Sequence, residues 1–409
     1  MTKCLKNHFV MHAFPFRSLL FKGRCLNLSR TKKSKAVPVV AVLTFIIVAL
    51  AVVCFLINPL VIQPQRDAIA SANQKAKDDV AAKNREIEAQ YAASIAELES
   101  RSATPSNPSW PEHKSEGWDL LDLSSIPLEN QTAETRTRAD LMNEGMLLVN
   151  EWHSRPEDFD ETGVVSVAKY YTGDNKIQAK DNNVTLFPVA IQALREALNG
   201  AKAEGLEHYL VEEGYRSYET QNTYFQNKVT KLSSKYTGDA LIAAAKKEVN
   251  YPGTSEYNSG LAFELRLYDK TNPDVGTPKY STTDQGKWMN ENCWKYGIVF
   301  RFPLGGWPLE SSTDKSFKTG VSKRLNLYRY VGRGNAAIMH YLDYTLEEYI
   351  EYLQEHPHIA LFEDGVLKYE VYRQYVGDEQ TIDVQLTRNA PDYVSSLDNM
   401  GAVITVFNY

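Results

Sequence analysis

Histidine, cysteine, arginine and carboxylate side chains could hold a metal, activate water or grip an anion, so their positions come first. Six of the eight histidines (His113, His153, His208, His340, His356 and His358) follow an apolar run near the N-terminus. Only His356-Pro357-His358 places two together, and a pair at that spacing on a loop is read as solvated rather than as a metal clip. Of the four cysteines, Cys4 and Cys25 precede the apolar run, Cys54 lies inside it and Cys293 alone follows it. The downstream region therefore forms no internal disulfide, and a small disulfide-stapled scaffold is excluded. The other polar groups with chemical potential gather in three segments. The first is Glu213-Gly214-Tyr215-Arg216-Ser217-Tyr218-Glu219-Thr220-Gln221, after the strand-like Tyr209-Leu210-Val211. The second runs from Pro252 through Ser255-Glu256-Tyr257-Asn258-Ser259-Gly260 to Glu264-Leu265. The third extends from Thr319-Gly320 to Arg329-Tyr330-Val331-Gly332.

The rest of the sequence must place these segments. Forty-five Lys and Arg against fifty-one Asp and Glu give a formal charge of −6. Residues 1–35 hold nine of the cations and no acid, which leaves −15 on everything after them. Nucleic acid is therefore excluded as the main partner, and 43% hydrophobic residues exclude a wholly disordered chain. Residues 36–57 are uncharged and apolar, which predicts a transmembrane helix of the roughly 20 residues a bilayer requires. The run is longer than the core of a cleaved signal and reads as a signal anchor. The basic tail 1–35 then lies in the cytoplasm by the positive-inside rule, and the C-terminal domain is extracellular at the plasma membrane. Cys4 and Cys25 become juxtamembrane thiols open to acylation, although plain reduced thiols are the simpler reading.

Residues 64–100 are rich in Ala, Glu, Lys, Asp and Gln with no glycine, which predicts a helical stalk. A narrow stripe including Ile69, Ala72, Ala76, Val80 and Ile87 is compatible with a weak coiled-coil homodimer or with a single solvated helix. Residues 101–116 contain three prolines and form a linker. The folded domain spans 117–370. A C-terminal extension, 371–409, carries Thr381–Thr387 and Ala402–Phe407 as a strand pair about an Asn389-Ala390-Pro391-Asp392 turn, an added sheet edge. Asn130-Gln131-Thr132 and Asn183-Val184-Thr185 are glycosylation sequons that matter only in a eukaryotic secretory pathway.

In order and spacing, the three segments resemble the VanY-like D-alanyl-D-alanine carboxypeptidases, zinc enzymes that trim the terminal D-alanine of peptidoglycan stem peptides. The resemblance runs from about Leu148 to Leu353. It takes in Trp288, Tyr296-Gly297-Ile298, Arg301-Phe302-Pro303 and Leu346-Glu347-Glu348-Tyr349. It implies an α+β fold, a small antiparallel sheet flanked by helices. It also implies that Arg216 holds the peptide's terminal carboxylate with its bidentate fork, with Tyr218, Gln221 and Ser255 nearby as hydrogen-bonding groups. The alternative for Arg216 is an ordinary salt bridge.

The metal positions depart from the family. Its second motif, Ser-x-His-x-x-Gly-x-Ala-x-Asp, aligns from Ser255 with Tyr257 at the zinc-ligand histidine and Glu264 at the ligand aspartate. Its third, Glu-x-Trp-His, aligns with Arg324 at the catalytic carboxylate, Asn326 at the tryptophan and Leu327 at the last ligand. A catalytic zinc takes about three N, O or S ligands. Glu264 could still coordinate, a phenol of pKa about 10 is a poor ligand, Leu327 has no donor atom, and an arginine cannot serve as a base. The expectation is a zinc-free pseudo-enzyme without catalytic residues or cofactor, binding a stem peptide or a cell-wall protein. Arg324 is expected to pair with Glu264 in place of the cation. One rival is an active carboxypeptidase using Glu264 with a histidine from elsewhere, and another is an assembly protein acting through its stalk.

Overall fold

The structure, a computed structural model, describes residues 42–50, 52, 63–101 and 110–409. The basic tail, much of the expected span 36–57 and half of the linker lie outside the described residues. Within the span, 42–50 are helical, and no helix among the described residues is long and apolar enough to cross a membrane. The chain divides into two units, Met1–Tyr91 and Ala92–Tyr409. A helix of 39 residues, Gln63–Arg101, covers the expected stalk. Strong helix formers throughout account for it, but its apolar residues do not gather on one face, and Ile69 and Val80 are exposed.

After the linker come β1 (Trp118–Asp122), β2 (Gln131–Thr137) and the short pair β3 (Val165–Ser166) and β4 (Thr185–Leu186). A four-stranded antiparallel sheet follows, built from β5 (Tyr209–Glu213), β6 (Ala262–Leu267), β7 (Ile298–Phe300) and β8 (Leu327–Tyr330) in the order β5-β6-β8-β7. Its two faces differ because side chains alternate along a strand. Phe263, Leu265 and Leu267 of β6 and Tyr328 of β8 are buried in the main core with Ile191, Leu194 and Leu198 of the helix Pro188–Ala203. Those three helical positions recur at spacings of 3 and 4, one face of an amphipathic helix. Each such side chain contributes about 1.5–3 kcal/mol on burial. Ala262, Glu264, Leu327 and Arg329 belong to the opposite face, which carries the polar chemistry. This is the mixed α/β architecture expected, with the small antiparallel sheet flanked by helices.

The C-terminal region corrects one expectation. Strands β9 (His358–Glu363), β10 (Val366–Tyr375), β12 (Asp392–Leu397) and β13 (Ala402–Asn408) join β1 in a five-stranded antiparallel sheet ordered β1-β9-β10-β13-β12. Strand β11 (Thr381–Thr387) pairs instead with β2, Thr381 opposite Thr137. Thr381–Thr387 and Ala402–Phe407 are both strands, but they do not pair with each other, and β13 is interior rather than an edge. The reason is burial. Six consecutive residues of β13 are buried, so the strand needs a neighbour on each side and takes β10 and β12. In β11 only alternate residues, Ile382, Val384 and Leu386, are buried up to that point, the pattern of a strand with one core face.

Four buried charges lock the polar face in place. Arg301 donates from Nε to Glu256 at 2.8 Å, and from Nη1 and Nη2 to Glu347 at 2.8 and 2.6 Å. Arg329 donates to the other Glu256 oxygen and to the carbonyls of Gly145 and Leu147 at 2.7 and 2.8 Å. Asn150 adds a 3.0 Å bond to Glu347. All four charged side chains are essentially excluded from solvent. Burial alone would raise the Glu347 pKa, but the Arg301 guanidinium and its hydrogen bonds hold it below the ordinary glutamate value.

Removing one partner leaves an uncompensated buried charge. Arg301→Ala should therefore cost about 3–5 kcal/mol in denaturant unfolding. Because the Glu347 pKa is depressed in the fold, its contribution is present above the unfolded value of 4.5. It should be lost as pH falls below that value through the folded one, an acid limb measurable by thermal unfolding.

Candidate functional site

Register brings the substituted positions together. Glu264 of β6 pairs with Leu327 of β8 on one side and with Glu213 of β5 on the other. The turn after β5 needs Gly214, since a Cβ there would meet the Thr185 carbonyl oxygen at 2.5 Å. Ser217 then caps the helix Tyr218–Leu232 by accepting from the Thr220 amide at 3.1 Å. The Ser255–Gly260 loop is bound to this turn from both directions. The Arg216 amide donates to the Tyr257 carbonyl at 3.0 Å, and Asn258 Nδ2 donates to the Arg216 carbonyl at 2.7 Å. Gly260 ends the loop at φ +71°, where an added Cβ would strike the Phe187 ring.

These elements line a cavity of about 560 Å³ that contains Arg216, Gln221, Ser255, Tyr257, Glu264 and Leu327. Two expected site residues are not among its lining. Tyr218 is exposed, its ring against Gly253. Arg324 donates instead to the Gly305 carbonyl at 3.0 Å and lies 5.7 Å from the Trp307 ring. The expected Arg324–Glu264 pair is therefore absent. Side chains alternate on the β8 approach, and this one emerges on the Gly305 side, where a carbonyl and an aromatic face satisfy it at the surface.

Glu264 takes its partner from Tyr257, whose phenol donates to Oε2 at 2.9 Å. The Tyr257 ring packs with Phe302 and Leu327, and the Arg216 guanidinium lies over it at 3.9 Å, with Tyr224 at 5.0 Å. Arg216 pairs with Glu213 at 3.0 Å and donates to Gln221 at 3.3 Å, while its Nε is buried without a partner. Burial, followed by the Glu264 charge, pushes the Tyr257 phenol far above its ordinary pKa. Burial also raises Glu264. The Tyr257 hydrogen bond opposes that rise, and the neighbouring Glu213 charge adds to it.

A zinc ion does not fit this donor set. Tyr257 holds its proton and spends it on Glu264, Leu327 offers no atom, and Arg324 points elsewhere. No cluster of three or more His, Cys, Asp or Glu suited to a metal occurs among the described residues. The histidine pair corrects another expectation. His356 bonds Asp122 at 2.7 Å, but His358 opens β9, is buried, and sits between the Ile126 carbonyl at 2.7 Å and Glu370 at 2.8 Å. It is a core residue, since the strand it begins runs under the linker-side Trp110. Cys293 is buried, and burial pushes its thiol up to about 12, which leaves no nucleophile there.

The sequence reading did not assign the partners of the site. Glu213 lies three residues before Arg216, a spacing that could have flagged the pair. Glu256 adjoins Tyr257, but nothing local shows that its partners are Arg301 and Arg329.

The antiparallel sheet, the helix after the Glu-Gly-Tyr-Arg turn and the cleft between them form the part of the domain that carries the site. A model of the family described as "VanY: D-alanyl-D-alanine carboxypeptidase" matches residues 183–313. The chain is 29% identical over 281 residues to a D-alanyl-D-alanine carboxypeptidase of Enterococcus faecium, covering 68% of this chain and 80% of that one. It is 30% identical over 206 residues to the protein YodJ of Bacillus subtilis, covering 50% of this chain and 67% of that one. The chain belongs to the VanY family. Among solved structures, the vancomycin-resistance D,D-dipeptidase VanXYg superposes with a TM-score of 0.49 at 21% identity, over 68% of this chain and 99% of that one.

Two substitutions probe the Tyr257–Glu264 pair. Tyr257→Phe keeps the ring beneath Arg216 but leaves a buried carboxylate without its donor, so it should cost about 1–3 kcal/mol. Glu264→Gln should do the opposite at neutral pH. The folded pKa of Glu264 is raised, so its ionisation costs stability as pH rises above the unfolded value of 4.5. The variant's gain in thermal stability should appear above that pH and close below it.

Proposed function

We propose that this VanY-family chain is a zinc-free, membrane-anchored member of the cell envelope that binds the carboxyl end of peptidoglycan stem peptides without cleaving them. The observation that carries the reading is the content of the former metal position, a phenol–carboxylate hydrogen bond closed by Leu327. Hydrolysis in such a cleft needs a group to activate water and a positive centre for the developing oxyanion. Neither Tyr257, protonated and hydrogen-bonded, nor Arg324, turned to Gly305, supplies them.

Binding rests on Arg216 and its neighbours. The guanidinium is held between two tyrosine rings at the cavity wall and already carries one carboxylate, Glu213. A peptide carboxylate of the same chemistry would take the Glu213 place, with Ser255 and Gln221 in the same wall. Anchoring is supported by the uncharged run 36–57 and the one-sided charge of residues 1–35. In that orientation the domain would lie outside the plasma membrane, within reach of the cell wall.

The test is a synthetic stem pentapeptide ending in D-Ala-D-Ala, added to the full chain with zinc present. The expected result is a rise in melting temperature, lost in Arg216→Ala and enlarged in Glu213→Gln, with no free D-alanine released. Catalytic release of D-alanine would contradict the reading, as would a melting temperature that the peptide leaves unchanged.

A further inference from the structure

A second cavity, of about 460 Å³, lies where the helix Pro188–Ala203 and the segment Tyr330–Asn335 meet the five-stranded sheet. Its size falls within the roughly 300–1,000 Å³ usual for small-molecule sites. Four tyrosines from separate parts of the chain line it: Tyr296, Tyr330, Tyr369 and Tyr409. Tyr296 packs beside Trp288, its ring centroid 6.2 Å away. All but Tyr296 lie outside the segment matched by the family model.

The charges of this cavity do not cancel. Arg333 is paired with Glu196, and Lys368 with Glu363 at 3.5 Å, so both cations are already neutralised. Asp392 accepts one bond from Asn408 at 3.2 Å. Glu144, half-buried in the wall, makes no hydrogen bond or ion pair among the described residues. Burial raises its pKa and the Arg136 charge only partly offsets the rise. Together with burial, its charge pushes the neighbouring Tyr330 phenol up to about 12. A desolvated carboxylate with no partner is costly in a finished fold, and aromatic faces attract cations through their quadrupole.

We propose that this cavity binds an organic ammonium group, with Glu144 as counter-ion and the tyrosines as its aromatic wall. An anion would meet Glu144 with no free cation to receive it. A bare metal ion would find no group of three His, Cys, Asp or Glu side chains suited to it among the described residues, too few ligands for a hard cation. An alkylated or primary ammonium needs only one negative charge and apolar or aromatic contact for its carbons.

The test uses the full chain and two cations, choline and n-butylammonium, with 3,3-dimethylbutan-1-ol as the neutral isostere of choline. Titration calorimetry should show saturable binding of at least one cation, with the neutral isostere about ten-fold weaker or worse. Glu144→Gln should abolish the preference for charge while Glu213→Gln, in the other cavity, leaves it intact. Glu144→Gln removes an uncompensated charge, so it should melt no lower than the unsubstituted protein, and loss of binding will not reflect misfolding. Failure of both cations to bind, equal binding of the isostere, or cation binding unchanged in Glu144→Gln would overturn the proposal. None of these outcomes bears on peptide binding at Arg216.

Discussion

Two arginines and two glutamates buried from solvent constrain everything around the cleft. Glu256 holds Arg301 and Arg329 at once, and Arg301 passes on to Glu347 with two parallel bonds. The set is formally neutral, and its remaining donors reach the carbonyls of Gly145, Leu147 and Tyr330. Such a group cannot loosen one member at a time, because each unpaired charge would face the full desolvation cost. Its members come from the Ser255–Gly260 loop, the end of β7, strand β8 and the helix Leu346–Glu355. The backbone that carries Tyr257 is fixed by the residue before it, and Leu327 is fixed two residues from Arg329.

Held in that frame, the cleft coheres through the charged and aromatic groups it contains. In a zinc site the metal's charge reconciles several electron-rich ligands. Here the carboxylate of Glu264 is reconciled by a phenolic hydrogen bond and by the nearby Arg216 charge, while Leu327 and Phe302 pack with the Tyr257 ring. Glu213 and Glu264, opposite each other on adjacent strands, would repel. Arg216 pairs directly with the first, and its charge lowers the second. The arginine is thus both the main candidate for ligand binding and a structural counter-charge, so the two readings of it made from sequence are compatible.

Much of this was legible in the residues. Gapless alignment of Ser255 through Glu264, and the Thr319 to Gly332 frame, located the four altered positions. Three of them, Tyr257, Glu264 and Leu327, converge on one cavity. The direction of Arg324 was not legible, because a charged side chain at a strand approach can leave on either side and only the surroundings decide. Nor was the pairing of the C-terminal strands. Sequence shows that Thr381–Thr387 and Ala402–Phe407 are strands, but β2 and β10, their distant partners, become visible only in three dimensions. His358 failed for the same reason, since its burial depends on Trp110 and Glu370, far away or on another strand.

The central claim is that this cleft has no place for zinc, and the metal content of the full chain tests it most directly. After incubation with excess zinc and desalting, elemental analysis should find well under one zinc per chain, unchanged by Tyr257→Phe. One tightly held zinc per chain, lost on Glu264→Gln, would contradict the account.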